Sequence, residues 1–268
     1  MKIAIVTGAS SGMGREFARQ LSEYVQVDEI WAVARREQAL QSLAGECPVP
    51  VRAVCLDLCR EESIQSLAAL LAQEQPRVEL LVNAAGFGKF GHYDSIPLEE
   101  DCRMVQLNCL ALLAVTRTVL PYMHRGSHVL QLDSLSAFQP VPYITTYAAT
   151  KAFVLSYSRA MNRELRDAGI RMMAMNPGWV KTEFFNHALQ TNDGTVQYYS
   201  SLWEPADVVA TGLKDLYRSR KDYSVHGFSV RMQVRLVRLL PHGIVMRVWM
   251  NQQKKAKNNT NLKKEARK

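Results

Sequence analysis

Lys2-Ile-Ala-Ile-Val-Thr7-Gly8-Ala-Ser-Ser-Gly12-Met-Gly14 opens the chain and decides its fold class. The first six residues read as a short buried strand, and Phe17, Ala18, Leu21 and Tyr24 then recur at helical spacing. A strand that passes into a helix through three glycines makes a phosphate cradle. Without Cβ atoms the loop backbone comes close to a pyrophosphate, while the unpaired N–H groups and positive dipole end of the helix face the anion. Thr7, Gly8, Ser10, Ser11, Gly12, Met13 and Gly14 are therefore assigned to cofactor binding.

Glu29-Ile-Trp-Ala-Val-Ala34 supplies a second strand, followed by Arg35-Arg36. About 20 residues beyond the last glycine a dinucleotide fold selects its ribose partner. An acidic residue there binds a free 2′-hydroxyl and repels a phosphate, whereas a guanidinium forks onto a 2′-phosphate. Arg35 thus favours NADP(H) over NAD(H); Arg36 shares that assignment, with a solvated helix start as its other reading. A third strand over 51–56 runs into Asp57-Leu58, and a fourth over 78–82 runs into Asn83-Ala84-Ala85-Gly86, where the adenine ring and its ribose are expected. With helices over 61–73 and 98–123 the pattern is βαβ, implying a mainly parallel sheet covered on both faces.

The chemistry gathers further on. His128-Val-Leu-Gln-Leu-Asp133 reads as a strand ending at Ser134, and ligands of open α/β sheets collect at such ends. From Tyr147 the pattern is helical, with no Gly or Pro before Gly169, so Tyr147 and Lys151 stand one turn apart on one face. A phenol ionises at about pH 10 and exchanges protons poorly at neutrality unless a nearby cation favours its anion; Lys151 is placed to be that cation. Pro140 and Pro142 force an exposed loop that folds the helix start back toward Ser134. Ser136 is the rival for the hydroxyl role.

A chain of 268 residues, 47% hydrophobic, fills one large domain and is marginal for two. No apolar run is read as approaching the ~18 residues of a membrane span, and Met1 leads at once into a strand, so a soluble, cytoplasmic protein is expected. The five cysteines are odd in number and irregularly spaced, which argues against a disulfide framework; Cys55 and Cys59 read as buried thiols, and no metal site is expected.

Together these residues resemble the classical short-chain dehydrogenase/reductase family over residues 1–227. Thr7 to Gly14 resembles its Thr-Gly-x-x-x-Gly-x-Gly loop, Asn83 to Gly86 its Asn-Ala-Gly-type element, and Asn108 its catalytic asparagine. Ser134, Tyr147 and Lys151 match its Ser and Tyr-x-x-x-Lys group, and the thirteen-residue step to Tyr147 selects Ser134 over Ser136. Pro177-Gly178-Trp179-Val180-Lys181-Thr182 resembles the segment that closes over the nicotinamide. The resemblance implies a single-domain Rossmann fold, α/β and doubly wound, with a seven-stranded sheet. It further implies NADP(H)-dependent interconversion of a small-molecule carbonyl and a secondary alcohol, and a homodimer or homotetramer built on two long helices. In that mechanism Ser134 hydrogen-bonds the substrate oxygen and Tyr147 exchanges the proton. Lys151 holds the nicotinamide ribose and lowers the Tyr147 pKa, and Asn108 holds a water that passes protons toward Lys151.

A strand over 169–175 leads into Asn176, and Phe184, Phe185, Tyr198, Tyr199 and Trp203 follow among polar residues where the family places its substrate lid. An apolar guest is expected there, with residues 87–93 as the opposite wall and no role for His92. After a helix over 205–219 and a strand over 223–225, residues 228–253 form a basic amphipathic extension. Arg231, Arg235 and Arg238 lie beside an apolar stripe of Val230, Val234, Val237 and Leu240. Packing on the protein, the substrate mouth or a partner subunit is its first reading; contact with an anionic membrane surface is the second. Residues 254–268 form a Lys-rich tail expected to be disordered, which accounts for much of the net charge of +8. With no aromatic platform beside that charge, no nucleic-acid partner is expected. The rival function is an NADP(H)-binding sensor without turnover; Asn108, Ser134, Tyr147 and Lys151 weigh against it, since a sensor has no need of a proton donor and its cation.

Overall fold

A computed structural model describes residues 1–199 and 202–265. The apolar runs form β1 (Lys2–Thr7), β2 (Glu29–Ala34), β3 (Val51–Cys55), β4 (Arg77–Asn83), β5 (Met123–Leu132) and β6 (Arg171–Met175). Two short strands, β7 (Trp179–Val180) and β8 (Leu202–Trp203), pair with each other, and β9 (Tyr223–Ser224) completes the main sheet. Its seven strands run in the order β3-β2-β1-β4-β5-β6-β9, with every neighbouring pair parallel. The order turns back between β1 and β4, and Thr7 pairs with Asn83, so both strands end level at the crevice where such sheets bind ligands.

Alternate residues of β1 serve two cores, as a strand buried on both faces requires. Ala4 and Val6 pack with α1 (Gly12–Gln20) and α8 (Pro205–Arg218) through Phe17, Ala18, Leu213 and Leu216. Ile3 and Ile5 pack with α3 (Glu61–Glu74), α5 (Leu112–Val119) and α6 (Thr145–Glu164) through Leu67, Leu71, Val115 and Met161. Helix α2 (Glu37–Ala44) packs on β3 at the sheet edge. Because β3 is that edge strand, Cys55 is exposed and Cys59 half-buried, not the buried thiols expected.

The helix expected over 98–123 is composite: α4 (Leu98–Val105), a π-helical stretch (Gln106–Ala111), α5, and a 3-10 turn (Leu120–Tyr122). By length and composition Leu98–Tyr122 is long and apolar enough to cross a membrane, contrary to the reading of the sequence. Its apolar content serves the sheet instead, with Met104, Ala111, Leu112, Val115 and Val119 buried. Between 182 and 205, α7 (Phe184–Ala188) replaces irregular chain. The extension begins at Phe228 as α9 (Phe228–Leu239) and continues as α10 (His242–Glu265). This last helix extends into the Lys-rich tail as far as Glu265; 266–268 lie outside the described residues. Gln252, Gln253, Lys254, Lys255 and Ala256 are good helix formers, and buried Gln253 anchors them by accepting the N–H groups of Gln197 (2.8 Å) and Tyr198 (2.9 Å).

Candidate active site

The ends of β1 and β4 are locked together. Thr7 Oγ1 accepts the N–H groups of Ala84 and Ala85, both at 3.1 Å, and Asn83 Nδ2 donates to Thr116 Oγ1 at 2.9 Å. A Cβ on Gly14 would sit 2.3 Å from the Gly8 carbonyl oxygen, so only glycine lets the first turn of α1 lie against the loop. That turn carries no acidic residue and no side-chain cap, which leaves its N–H groups for an anion. Gly12 faces Thr182 across the crevice, where an added Cβ would lie 3.3 Å from the threonine Cβ. This cradle fits a dinucleotide pyrophosphate. Beyond it, Arg36 rather than Arg35 reaches the glycine loop: its guanidinium donates to Ser10 Oγ (3.2 Å) and pairs with Glu183 (3.0 Å). Arg35 is exposed, and its carbonyl accepts from Cys55 Sγ. Asp57 Oδ1 caps the N–H of Cys59 at 3.1 Å, and Leu58 is buried beside it.

Beyond the end of β5, Ser134 Oγ accepts the Ser136 N–H at 3.2 Å, which leaves its own proton for a ligand. Tyr147 and Lys151, one turn apart on α6, are both buried. Lys151 Nζ donates to the Leu132 carbonyl at 2.7 Å and lies 5.7 Å from the centre of the Tyr147 ring. Burial pushes the Tyr147 phenol upward, the Ser134 hydroxyl pulls it back, and the Asp133 carboxylate pushes it further up. Burial also lowers the Lys151 ammonium from its ordinary range, with the Asp133 carboxylate acting against that shift.

Asp133 was not among the residues singled out from the sequence. It is 2% exposed; burial raises its carboxyl well above the usual range, while Lys151 and the Asn176 carboxamide that donates to Oδ2 oppose the rise. An acidic residue closing an otherwise apolar strand is the signal that could have found it. Asn108 sits in the π-helical stretch, and its carboxamide is engaged by the protein. Nδ2 donates to the Phe87 carbonyl (2.9 Å) and Thr150 Oγ1 (3.1 Å), and Oδ1 accepts the Phe87 N–H (3.1 Å). It clamps the chain leaving Gly86 against α6.

Asp133, Ser134, Tyr147 and Lys151 line a cavity that opens to solvent. Phe90, Val141, Trp179, Phe184 and Phe185 form its apolar walls, and the Phe184 ring centre lies 5.4 Å from that of Tyr147. Pro177, Gly178, Val180 and Thr182 line it as well. Gly88 presses its backbone on the phenol ring, where an added Cβ would come within 2.9 Å of Tyr147 Cδ2. The extension supplies Gln233, Val234, Val237 and Trp249, the indole fixed by donating to the Pro142 carbonyl at 3.0 Å.

The model of the short chain dehydrogenase family matches residues 2–193. An uncharacterized oxidoreductase of Staphylococcus epidermidis is 31% identical over 183 residues, covering 68% of this chain and 79% of the relative. A short-chain dehydrogenase from Sphingobium yanoikuyae, solved with NADPH, superposes with a TM-score of 0.76 at 26% identity, covering 91% of this chain and 95% of that one. A 3-ketoacyl-(acyl-carrier-protein) reductase from Brucella melitensis, solved with NADH, gives a TM-score of 0.69 at 27% identity, covering 81% and 91%. With a family match over most of its length and that family's fold around the crevice, the chain belongs to the short-chain dehydrogenases and is an oxidoreductase of the nicotinamide-dinucleotide type.

Proposed function

We propose that the protein is an NADP(H)-dependent reductase that interconverts an apolar carbonyl compound and its secondary alcohol. The observation that carries this reading is the convergence of the Ser134 and Tyr147 hydroxyls with Lys151 in the lining of an apolar cavity, beside a glycine cradle. A bound NADP(H) supplies or accepts the hydride. The glycine loop would hold its pyrophosphate, Ser10 and Arg36 its 2′-phosphate, and Lys151 its nicotinamide ribose. Relatives solved with NADPH and with NADH leave the choice to the chain's own residues, and the guanidinium beside Ser10 favours the phosphorylated form.

Ser134, which accepts the Ser136 N–H and keeps its own proton as a donor, hydrogen-bonds the substrate oxygen and stabilises charge developing there. Tyr147, a phenol and so protonated at neutral pH, is the group placed to deliver a proton to the forming alkoxide. Lys151, with one proton held by the Leu132 carbonyl, has others for a sugar hydroxyl. Asn108 positions the Gly86 chain, and Phe90, Phe184 and Trp179 exclude water and favour an uncharged, apolar substrate. The test is Tyr147→Phe, assayed by NADPH oxidation against a panel of ketones, aldehydes and 3-oxoacyl compounds. Turnover is expected to fall about 10²–10⁴-fold with NADPH binding nearly unchanged; turnover within about tenfold of the parent would remove Tyr147 as the acid.

A further inference from the structure

Helix α9 carries two apolar faces. Val230, Val234 and Val237 are buried, and the last two line the cavity. Phe228, Met232, Leu236 and Leu239 are 73%, 44%, 57% and 83% exposed, and at 3.6 residues per turn they form a stripe on the side of the helix away from the valines. The start of α10 adds Ile244 and Val248, 46% and 50% exposed. Single exposed apolar side chains are ordinary, but a continuous row marks an interaction surface.

Arg231, Arg235 and Arg238 run along one flank of this row, all exposed, and none forms an ion pair among the described residues. Arg238 donates to the Tyr223 hydroxyl at 3.2 Å. Residues 228–268 hold eleven Lys and Arg against a single Glu, so with +8 overall the preceding 227 residues are net negative. Four of the eleven, Arg231, Arg235, Arg238 and Arg247, lie in the segment that carries the apolar stripe, and the other seven follow it in residues 254–268.

We propose that the outer face of α9, with the first turns of α10, docks on an anionic lipid bilayer. The stripe enters the acyl boundary and the arginines meet the headgroups. Charge selects this occupant over a second copy: a two-fold contact through the stripe would bring two arginine rows together with no carboxylate on α9 to offset them. The inner face of the same helix walls the cavity, so a bilayer-bound molecule presents its mouth beside the phase into which apolar carbonyl compounds partition. That delivery step rests on the proposed reductase reading; the docking does not.

Flotation of the full chain with phosphatidylcholine vesicles, made with and without phosphatidylglycerol, tests the surface directly. Binding is expected only with phosphatidylglycerol and should weaken as salt screens the charges. Arg231→Gln with Arg235→Gln should reduce it about fivefold per charge removed, and Leu236→Glu with Leu239→Glu should abolish it. All four positions are exposed, so NADPH binding and the thermal melt of the variants verify folding. Three results would overturn the proposal: no flotation of the parent at low salt, undiminished flotation of the Leu236→Glu, Leu239→Glu variant, or a fall in sedimenting mass caused by that variant without lipid. Carbonyl turnover measured without vesicles tests the reductase reading separately.

Discussion

Arg36 is held from both sides of the cofactor crevice, by Ser10 Oγ and by Glu183 Oε2, in an ion pair whose side chains are each 51% exposed. Such a pair stabilises little, so a 2′-phosphate displaces Glu183 at small cost and gains a guanidinium already aimed at the glycine loop. Arg36→Ala is expected to weaken NADPH binding about 10- to 100-fold, the scale of ~1.5–3 kcal/mol for hydrogen bonds to charged groups, and to leave NADH within a few-fold. Glu183→Gln, which removes the competing carboxylate, should tighten NADPH slightly. Fluorescence titrations with both nucleotides decide this, and equal losses for the two would remove Arg36 as the selector. The sequence alone could not order Arg35 and Arg36, because which side chain turns toward Ser10 depends on how the chain leaves β2. Ser134, Tyr147 and Lys151 were legible because a strand end and an i, i+4 pair are local facts. Asp133 was not, since its significance comes from burial beside Lys151, which only the packed molecule supplies.

At the level of elements the crevice depends on how closely α1 approaches the end of β1. A Cβ at Gly14 would collide with Gly8 backbone atoms, at 2.3 Å from the oxygen and 2.6 Å from the carbon, with no flexible side chain to yield. Gly14→Ala is expected to cost about 1–3 kcal/mol, the usual range for overpacking, and to lose cofactor affinity with it. Gly243→Ala, where a Cβ meets nothing within 4 Å, should be neutral or slightly stabilising. Thermal melts of the two variants make the comparison; a Gly14→Ala protein as stable as the parent would show that the loop can open. The inner strands were readable because β1, β2, β4 and β6 are apolar runs closed by a polar or turn-forming residue, whereas β9 is only Tyr223–Ser224 and the start of β5, Met123 to Ser127, is polar. The π-helical stretch was not, because Gln106 to Ala111 has an ordinary helical composition and the widened turn is seen only where Asn108 reaches Phe87 and Thr150.

Across the whole molecule, apolar side chains remain exposed on a second surface. Val105 and Leu110 on the composite helix and Phe153 on α6 are 42%, 52% and 39% exposed, and α4 packs directly beside α6. The Phe153 ring lies parallel to that of Tyr157, at 4° between planes and 5.9 Å between centres, which gives the patch a flat aromatic element. A stable contact buries about 800 Å² on each partner, so these side chains would be the apolar centre of a larger face on the two helices. A two-fold contact here would bury the same three side chains from both copies, and it leaves the arginine row of α9 out of the pairing. The protein is therefore expected to sediment as a dimer or tetramer at micromolar concentration. Leu110→Glu with Phe153→Glu should reduce that mass by opposing like charges across the axis, whereas Leu236→Glu with Leu239→Glu should leave it unchanged. A monomeric parent in sedimentation equilibrium would remove the helical patch as an interface. A mass that responds to the α9 substitutions instead would transfer the contact between copies to the stripe assigned above to lipid.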